Sequence, residues 1–235
     1  MLKTISWFAF LWWSMLKPRF ELKRLNRQGR IIERDACAHA LAREWAQTGL
    51  AMNGSSIHLS GLENVPTTGG VLFVANHQSN FDIPILLGHV PRDKGFIAKQ
   101  ELLKVRPFGR WMKYIGCVFI NRADPRQSVQ AISDAAQSLV AGHSLVIFPE
   151  GTRSADGIVG PFKAGSLKLA LMAKVPIVPV SISGSKDIMP KGSSVIRSAN
   201  VKVVVSPPLL ANELNGLNSN EIAKKVRDII VENLK

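Results

Sequence analysis

Short apolar runs that alternate with helix-like segments constrain the fold of this chain more than any other feature. The runs lie at residues 71–74, 95–98, 116–120, 144–148, 177–182 and 201–205. Apolar runs of this length indicate buried strands, and strands that alternate with helical patterns are typical of βαβ units. The sequence therefore predicts an α/β fold with a mostly parallel central sheet flanked by helices.

One connecting segment carries an unusually complete helix signature. Asp124 stands where an N-cap would, Pro125 at the first helical position and Gln127 at the capping-box position, while Gly142 ends the pattern. The predicted buried stripe of this helix consists of Val129, Ile132, Ala136, Leu139 and Val140. Its predicted role is structural.

The loop after the first apolar run places a histidine and a carboxylate five residues apart, as His77 and Asp82. On one continuous helix they would point about 140° apart. Asp82 stands where the N-cap of the next helix would. Cooperation therefore requires that His77 lies in the loop and that Asp82 reaches back to it from the helix start. A carboxylate on one imidazole nitrogen leaves the other nitrogen to take a proton from an alcohol. The alternative is that His77 is only a polar loop residue and Asp82 only a helix cap.

Polar groups also follow later runs. Arg122 comes after residues 116–120, and the segment Glu150-Gly151-Thr152-Arg153 comes after residues 144–148. Parallel strands would bring these groups to the same sheet edge as His77. Arginine binds phosphate bidentately, glycine permits close backbone approach, and Thr152 adds a hydroxyl donor. Lys99 would add positive potential there, although each of these cations taken alone is equally consistent with a solvated surface charge.

The N-terminal segment and the net charge indicate a lipid surface. Residues 5–16 are almost wholly apolar and contain Trp7, Trp12 and Trp13, and a strongly basic stretch follows. The run is shorter than the roughly 20 residues that cross a bilayer, and tryptophan favours the headgroup level. We expect residues 1–55 to form a helical membrane-docking hairpin and residues 56–235 the α/β domain. The alternative is that both N-terminal helices simply cover the core.

The chain has 30 Lys and Arg against 17 Asp and Glu, a net charge of +13, which requires an anionic partner. Nucleic acid is disfavoured because the aromatic residues cluster in the apolar N-terminal run and are not interleaved with the basic residues. Neither cysteine, Cys37 or Cys117, has metal-binding or redox spacing, and we predict no metal site. A nucleophile elbow and a phosphate-binding Walker loop are also absent from the sequence.

Four motifs stand in a fixed order. They are Asn76-His77-x4-Asp82, Phe119-Ile120-Asn121-Arg122, Phe148-Pro149-Glu150-Gly151-Thr152-Arg153-Ser154 and Val175-Pro176-Ile177-Val178-Pro179-Val180. Together they resemble the motifs of the glycerolipid acyltransferases, most closely the bacterial 1-acylglycerol-3-phosphate acyltransferases. The N-terminal segment also resembles the two-helix membrane-docking element of that bacterial family.

The resemblance implies transfer of an acyl chain from a thioester, on acyl carrier protein or coenzyme A, to the 2-hydroxyl of lysophosphatidic acid, with no other cofactor. It makes His77 the general base and Asp82 its orienting partner. It makes Arg122 and residues 150–153 the acceptor site, at the cytoplasmic face of the inner membrane. Asn121 departs from the acidic residue that is common before Arg122.

Three alternatives therefore stay open. The acceptor could be another lysophospholipid or glycerol 3-phosphate, and the chain could be a peripheral lipid-binding protein without turnover.

Overall fold

The computed structural model describes residues 2–16, 19–106, 108–121, 123–154 and 156–235. Its strands are β1 (Ser56–Ser60), β2 (Leu72–Ala75), β3 (Lys94–Lys99), β4 (Val118–Ile120), β5 (Ser144–Ile147), β6 (Ile177–Ser183) and β7 (Asn200–Val205). Its α-helices are α1 (Leu2–Leu16), α2 (Arg19–Arg27), α3 (Ile31–Asn53), α4 (Asp82–His89), α5 (Phe108–Tyr114), α6 (Pro125–Val140), α7 (Lys168–Ala173), α8 (Ser185–Ile188) and α9 (Ser219–Glu232). Short 3-10 turns occupy Leu62–Asn64, Gln100–Lys104, Ala164–Leu167 and Ala211–Leu214.

The described strands form one sheet in the order β1-β7-β6-β2-β5-β3-β4. Strands β6, β2, β5, β3 and β4 are parallel to one another. Strand β7 pairs with β6 in the antiparallel sense, and β1 runs parallel to β7. The predicted α/β fold with a mostly parallel sheet is confirmed, whereas the reversed β1–β7 pair at one edge was not predicted.

Both faces of the sheet are buried, as parallel sheets require. Along β2, Phe73 and Ala75 face the core beneath α3 and α4, whereas Leu72 and Val74 face the core beneath α6, α7 and α9. This alternation follows from the two-residue period of a strand. Because β2 pairs in parallel with both β5 and β6, the carboxyl ends of these three strands lie side by side. This fold class usually holds its chemistry at that edge of the sheet.

The N-terminal helices share the first of these two cores. The indole nitrogen of Trp7 on α1 donates to the carbonyl of Gly49 on α3 at 3.0 Å, and the Trp7 ring contacts Phe81 with 5.0 Å between centroids. A short basic helix, α2, connects α1 and α3 within the expected hairpin. The division at residue 55 stays a prediction. Among the described helices, none combines the length and apolarity that crossing a bilayer would need.

The predicted buried stripe of α6 is wrong in part. Val129 and Val140 are 71% and 68% exposed, and the buried positions are Ala131, Ala135, Ala136 and Leu139. The helix packs against the sheet through three alanines and Leu139, with Ile132 partly buried beside them, whereas Val129 and Val140 face outward. The predicted cap is present, because Asp124 accepts hydrogen bonds from the backbone N–H groups of Arg126 and Gln127.

Candidate active site

The loop that leaves β2 is held in place by residues distant in sequence. The Asn76 amide donates to the carbonyl of Ile182 and accepts from its N–H, both at 2.8 Å, so the loop is bound to β6. The N–H of His77 donates to Glu150 Oε1 at 2.7 Å, and the carbonyl of His77 accepts from the N–H of Ser154 at 2.8 Å. The backbone on either side of the histidine is therefore fixed.

His77 and Asp82 form the expected pair. Nδ1 of His77 lies 2.7 Å from Oδ2 of Asp82. Oδ2 also accepts from the N–H groups of Gln78 and Ser79 at 2.8 and 2.9 Å, and Oδ1 accepts from the hydroxyl of Ser185. Because the carboxylate is fully buried and holds Nδ1, Nε2 is the imidazole nitrogen available to a ligand.

Asp82 is not the N-cap that the sequence predicts. Helix α4 begins at Asp82 itself, Phe81 occupies the N-cap position, and no side chain caps the helix. The Asp82 carboxylate turns back toward the loop, where His77, Gln78 and Ser79 offer it three hydrogen bonds. These donors compete with the orphan N–H groups of the first helical turn.

Glu150 holds two backbone segments together. One oxygen accepts from the N–H of His77, and the other accepts from the N–H of Gly160 at 3.0 Å. Burial raises the pKa of Glu150, and the two N–H donors partly oppose that rise. The expectation that Glu150 contacts a substrate stays a prediction, and both of its carboxylate oxygens already serve the loop.

A cavity of about 330 Å³ opens beside His77. Its lining includes Lys99 from the end of β3, together with Gly151, Thr152 and Arg153 from the loop after β5. The sheet thus brings these predicted site residues together with His77, whereas Arg122 lies outside the described residues. Apolar side chains form much of the remaining lining, among them Trp45, Leu87, Phe96, Phe108, Trp111 and Met112. Of the described lining residues, three are cationic and none is a carboxylate.

The connection between β6 and β7 supplies site residues that sequence reasoning missed. Lys191 lines the cavity and donates from Nζ to the carbonyl of Arg153 at 2.7 Å. Ser185 reaches Asp82, and the Ser79 hydroxyl donates to the carbonyl of Met189 at 3.0 Å. These contacts join positions between 38 and 110 residues apart, so no local pattern signals them.

This arrangement has a defined chemical capability. His77 is oriented by a buried carboxylate, and its ring stacks on Phe148 with 4.1 Å between centroids. It lines a cavity that contains both cationic and apolar side chains. Such a site is suited to take a proton from the hydroxyl of an amphiphilic anion.

Comparisons with known proteins agree with this geometry. The sequence profile of the Acyltransferase family matches residues 56–183. A probable 1-acyl-sn-glycerol-3-phosphate acyltransferase of Mycoplasma pneumoniae is 36% identical over 189 residues, covering 75% of this chain and 70% of that protein. The crystal structure of the 1-acyl-sn-glycerophosphate acyltransferase PlsC of Thermotoga maritima superposes with a TM-score of 0.86 at 29% identity, covering 99% of this chain and 95% of that one.

A plant relative is longer. The chloroplastic 1-acyl-sn-glycerol-3-phosphate acyltransferase LPAT1 of Arabidopsis thaliana is 34% identical over 192 residues, which cover 81% of this chain. The match spans only 53% of that plant protein. The family profile itself covers strands β1 to β6 and the His77–Asp82 pair. This chain belongs to the acyltransferase family.

Proposed function

We propose that this protein transfers an acyl group from a thioester to the 2-hydroxyl of 1-acylglycerol 3-phosphate, giving phosphatidic acid and a free thiol. The observation that carries the proposal is the His77–Asp82 pair at a cavity lined by both cationic and apolar side chains. Relatives named for this activity support the choice of acceptor.

His77 is the general base in the proposed reaction. Its Nε2 takes the proton as the acceptor hydroxyl attacks the thioester carbonyl. Asp82 holds Nδ1 and stabilises the imidazolium that forms. The tetrahedral intermediate collapses by breaking the carbon–sulfur bond, and the departing thiolate takes the proton from His77.

The acceptor phosphate is held by the cationic residues that line the cavity. Arg153, Lys99 and Lys191 supply positive charge within the same cavity as His77, and Thr152 supplies a hydroxyl. Arginine is the residue suited to bidentate phosphate binding, and the lysines act as point charges. With the phosphate anchored there, the hydroxyl of a short glycerol backbone is within reach of His77.

The acyl chain lies against the apolar lining residues of the cavity, which include Phe96, Phe108, Trp111 and Met112. The thioester is already activated, so the proposed reaction uses no cofactor other than the acyl donor. That donor is a thioester of acyl carrier protein or of coenzyme A. Both are anionic and suit a chain of net charge +13.

We infer further that the N-terminal helices dock on the cytoplasmic face of the membrane without crossing it. Trp12 and Trp13 on α1 are 49% and 61% exposed, and Phe20 and Ile32 are each 86% exposed. Helix α2 also carries the exposed basic residues Lys23, Arg24 and Arg27. Exposed aromatic groups next to basic ones favour an anionic lipid surface.

The test of the activity offers purified protein an acyl thioester with lysophosphatidic acid, neutral-headgroup lysophospholipids or glycerol 3-phosphate. We expect phosphatidic acid to be the main product and His77→Ala to reduce turnover by about 10²- to 10⁴-fold, the usual contribution of a general base. Preferential transfer to a different acceptor would overturn the choice of acceptor. Lipid binding without any transfer would favour the binding-protein reading.

The docking test compares tryptophans of one helix. The double variant Trp12→Ser and Trp13→Ser should weaken sedimentation with anionic vesicles while leaving the thermal midpoint near that of wild type, because both rings are exposed. Trp7→Phe is the matched control, since Trp7 is buried and bonded to Gly49. It should lower the thermal midpoint and leave sedimentation with vesicles near that of wild type. Unchanged sedimentation of the double variant would contradict the docking surface.

A further inference from the structure

We propose that Ser185 is a positioning residue for the catalytic pair, acting through Asp82. This inference rests on the proposed function, because it concerns how the general base is oriented. Its hydroxyl donates to Asp82 Oδ1, and both side chains are fully buried at 0% exposure. Ser185 therefore has no access to a substrate.

The two oxygens of Asp82 are held by different parts of the chain. Oδ2 is bound by His77, Gln78 and Ser79, which belong to the loop that carries the histidine. Among the described residues, Oδ1 is bound only by Ser185, 103 positions away. If donors bound Oδ2 alone, Oδ1 would be free to swing around it and the plane of the carboxylate would not be fixed. The Ser185 hydroxyl fixes the second oxygen and, with it, the plane of the carboxylate.

Ser185 itself is firmly placed. It begins α8 directly after Gly184, whose φ of +87° is in the left-handed region. A Cβ on Gly184 would lie 2.3 Å from the carbonyl oxygen of Asn200, so only glycine fits this turn. The same segment is bound to the histidine loop a second time, through Ser79 and Met189. The position of the Ser185 hydroxyl thus follows from the backbone of β6 and its connection to β7.

Loss of this hydroxyl should impair orientation and leave binding intact. Without it, Oδ1 is a buried charged oxygen that lacks a donor, and the carboxylate gains by rotating toward other N–H groups. Rotation changes the direction in which Oδ2 holds Nδ1 and hence the direction of Nε2. The cations of the cavity, Lys99, Arg153 and Lys191, are unaffected by this change. The effect is therefore expected in kcat and not in KM.

The experiment compares two buried serines of the same region. Ser185→Ala should lower kcat for acyl transfer by about 10- to 100-fold, the equivalent of one hydrogen bond to a charged group, with KM for the acceptor changed less than about two-fold. Ser181→Ala is the control, because Ser181 is similarly buried but its hydroxyl bonds to Ile230 and Asn233, away from Asp82. It should lower the thermal midpoint and change kcat less than about two-fold. Ser185→Thr, which keeps the hydroxyl, should restore most of the activity.

A second readout does not depend on turnover. The proton on Nδ1 of His77 gives a far-downfield resonance when it is bonded to a carboxylate, and its absence in His77→Ala identifies it. In Ser185→Ala this resonance should shift or broaden, and in Ser181→Ala it should stay unchanged. If Ser185→Ala does not fold, Ser185→Cys, which retains a weak donor of similar size, replaces it in both measurements.

The outcomes separate the two proposals. A folded Ser185→Ala protein with wild-type kcat, or with an unchanged His77 resonance, would overturn the positioning role while leaving the acyltransferase proposal intact. Equal kcat losses in Ser185→Ala and Ser181→Ala would also overturn it, since the effect would then be general destabilisation. A wild-type protein that transfers to no acceptor would refute the proposed function, and a resonance shift confined to Ser185→Ala would still support the link to Asp82.

Discussion

Helix α4 has a buried charge at each end, and the two charges have different uses. At its amino end the Asp82 carboxylate accepts hydrogen bonds from His77, Gln78, Ser79 and Ser185. At its carboxyl end the Lys94 ammonium donates to the carbonyls of Leu86, Val90 and Arg92 at 3.2, 2.8 and 2.5 Å. Both signs complement the helix dipole, and both groups are almost completely excluded from solvent, at 0% and 2% exposure.

The difference lies in what each charge contacts. Asp82 holds an imidazole that lines a cavity, so its charge is coupled to the group that we propose as the general base. Lys94 contacts backbone carbonyls and lies 5.6 Å above the Phe73 ring, so its charge ends a helix and joins it to β3. Burial of a charge therefore identifies a position of high energetic importance, and the partner identifies whether that position serves reaction or fold.

Replacing the carboxylate should give the largest effect on turnover. Asp82→Asn presents amide protons where N–H groups already point at Oδ2, so the imidazole loses its oriented acceptor. We expect kcat to fall by about 10²- to 10⁴-fold, similar to loss of the base itself. Steady-state kinetics would measure this, with circular dichroism to verify folding. Retention of more than a tenth of wild-type kcat would remove the contrast between the two ends of the helix.

Glu150→Gln should have an intermediate effect. The substitution keeps one acceptor oxygen but places an amide against the N–H of either His77 or Gly160. We expect kcat to fall about ten-fold and the free energy of unfolding to fall by about 1–2 kcal/mol, the typical effect of a buried donor left unpaired. Combined kinetics and urea unfolding would test this. A change in acceptor KM with kcat unaffected would instead indicate direct substrate contact.

Lys94→Met should affect stability and leave turnover almost unchanged. The variant removes the donor from the buried carbonyls at this end of α4, which should lower the free energy of unfolding by about 2 kcal/mol at pH 9. The kcat should stay within about two-fold of wild type, because the site lies at the other end of a helix about 12 Å long. Urea unfolding and turnover assays on the same preparation would measure both. A large loss of kcat at full occupancy of the folded state would contradict a purely structural role.

The cost of this substitution should also depend on pH. Burial and the nearby Arg43 lower the pKa of Lys94 to about 7, against an ordinary value of 10.5. Between these values the unfolded chain keeps a proton that the folded chain has released, so the stability of wild type rises with pH there. Methionine does not titrate, and the stability lost in Lys94→Met should therefore be larger at pH 9 than at pH 6. The opposite trend would show that the three carbonyls keep the Lys94 amine protonated in the folded state in spite of its burial.

Arg43→Ala should have the smallest effect. Arg43 forms an exposed ion pair with Asp93 at 2.9 Å, with both side chains about half exposed. Such pairs contribute between about 0 and 1 kcal/mol. We expect the unfolding free energy to change by less than about 0.5 kcal/mol at neutral pH and less at high salt. A change as large as that of Lys94→Met would mean that surface charges, and not the carbonyl contacts, dominate this end of the helix.

The sequence predicted those parts of the site that are close together along the chain. His77 and Asp82 lie in one short loop, and Lys99 and residues 150–153 follow strands whose parallel order could be inferred. The spacing also predicted that Asp82 must reach back from the helix start to meet His77. The N–H groups of Gln78 and Ser79 that hold the carboxylate there could not be predicted, because only the folded loop presents them.

Contacts made by distant segments gave no sequence signal. Asn76 with Ile182, Asp82 with Ser185 and Arg153 with Lys191 depend on which strands become neighbours in the sheet. The exposed positions of Val129 and Val140 have a similar cause. Helical periodicity predicts that α6 has a buried face. Which residues occupy that face depends on the rotation of α6 about its own axis, and that rotation is set by how closely its alanines fit the sheet.

The bond between Asn76 and Ile182 has a consequence for synthesis of the protein. Residues 76–82 leave the ribosome about a hundred positions before β6, and until β6 pairs with β2 the histidine loop lacks the strand that holds it. A nascent chain that ends before residue 182 contains the complete His-x4-Asp sequence but not the oriented pair. The oriented pair can therefore form only after the strand that brings Ile182 and Ser185 is in place.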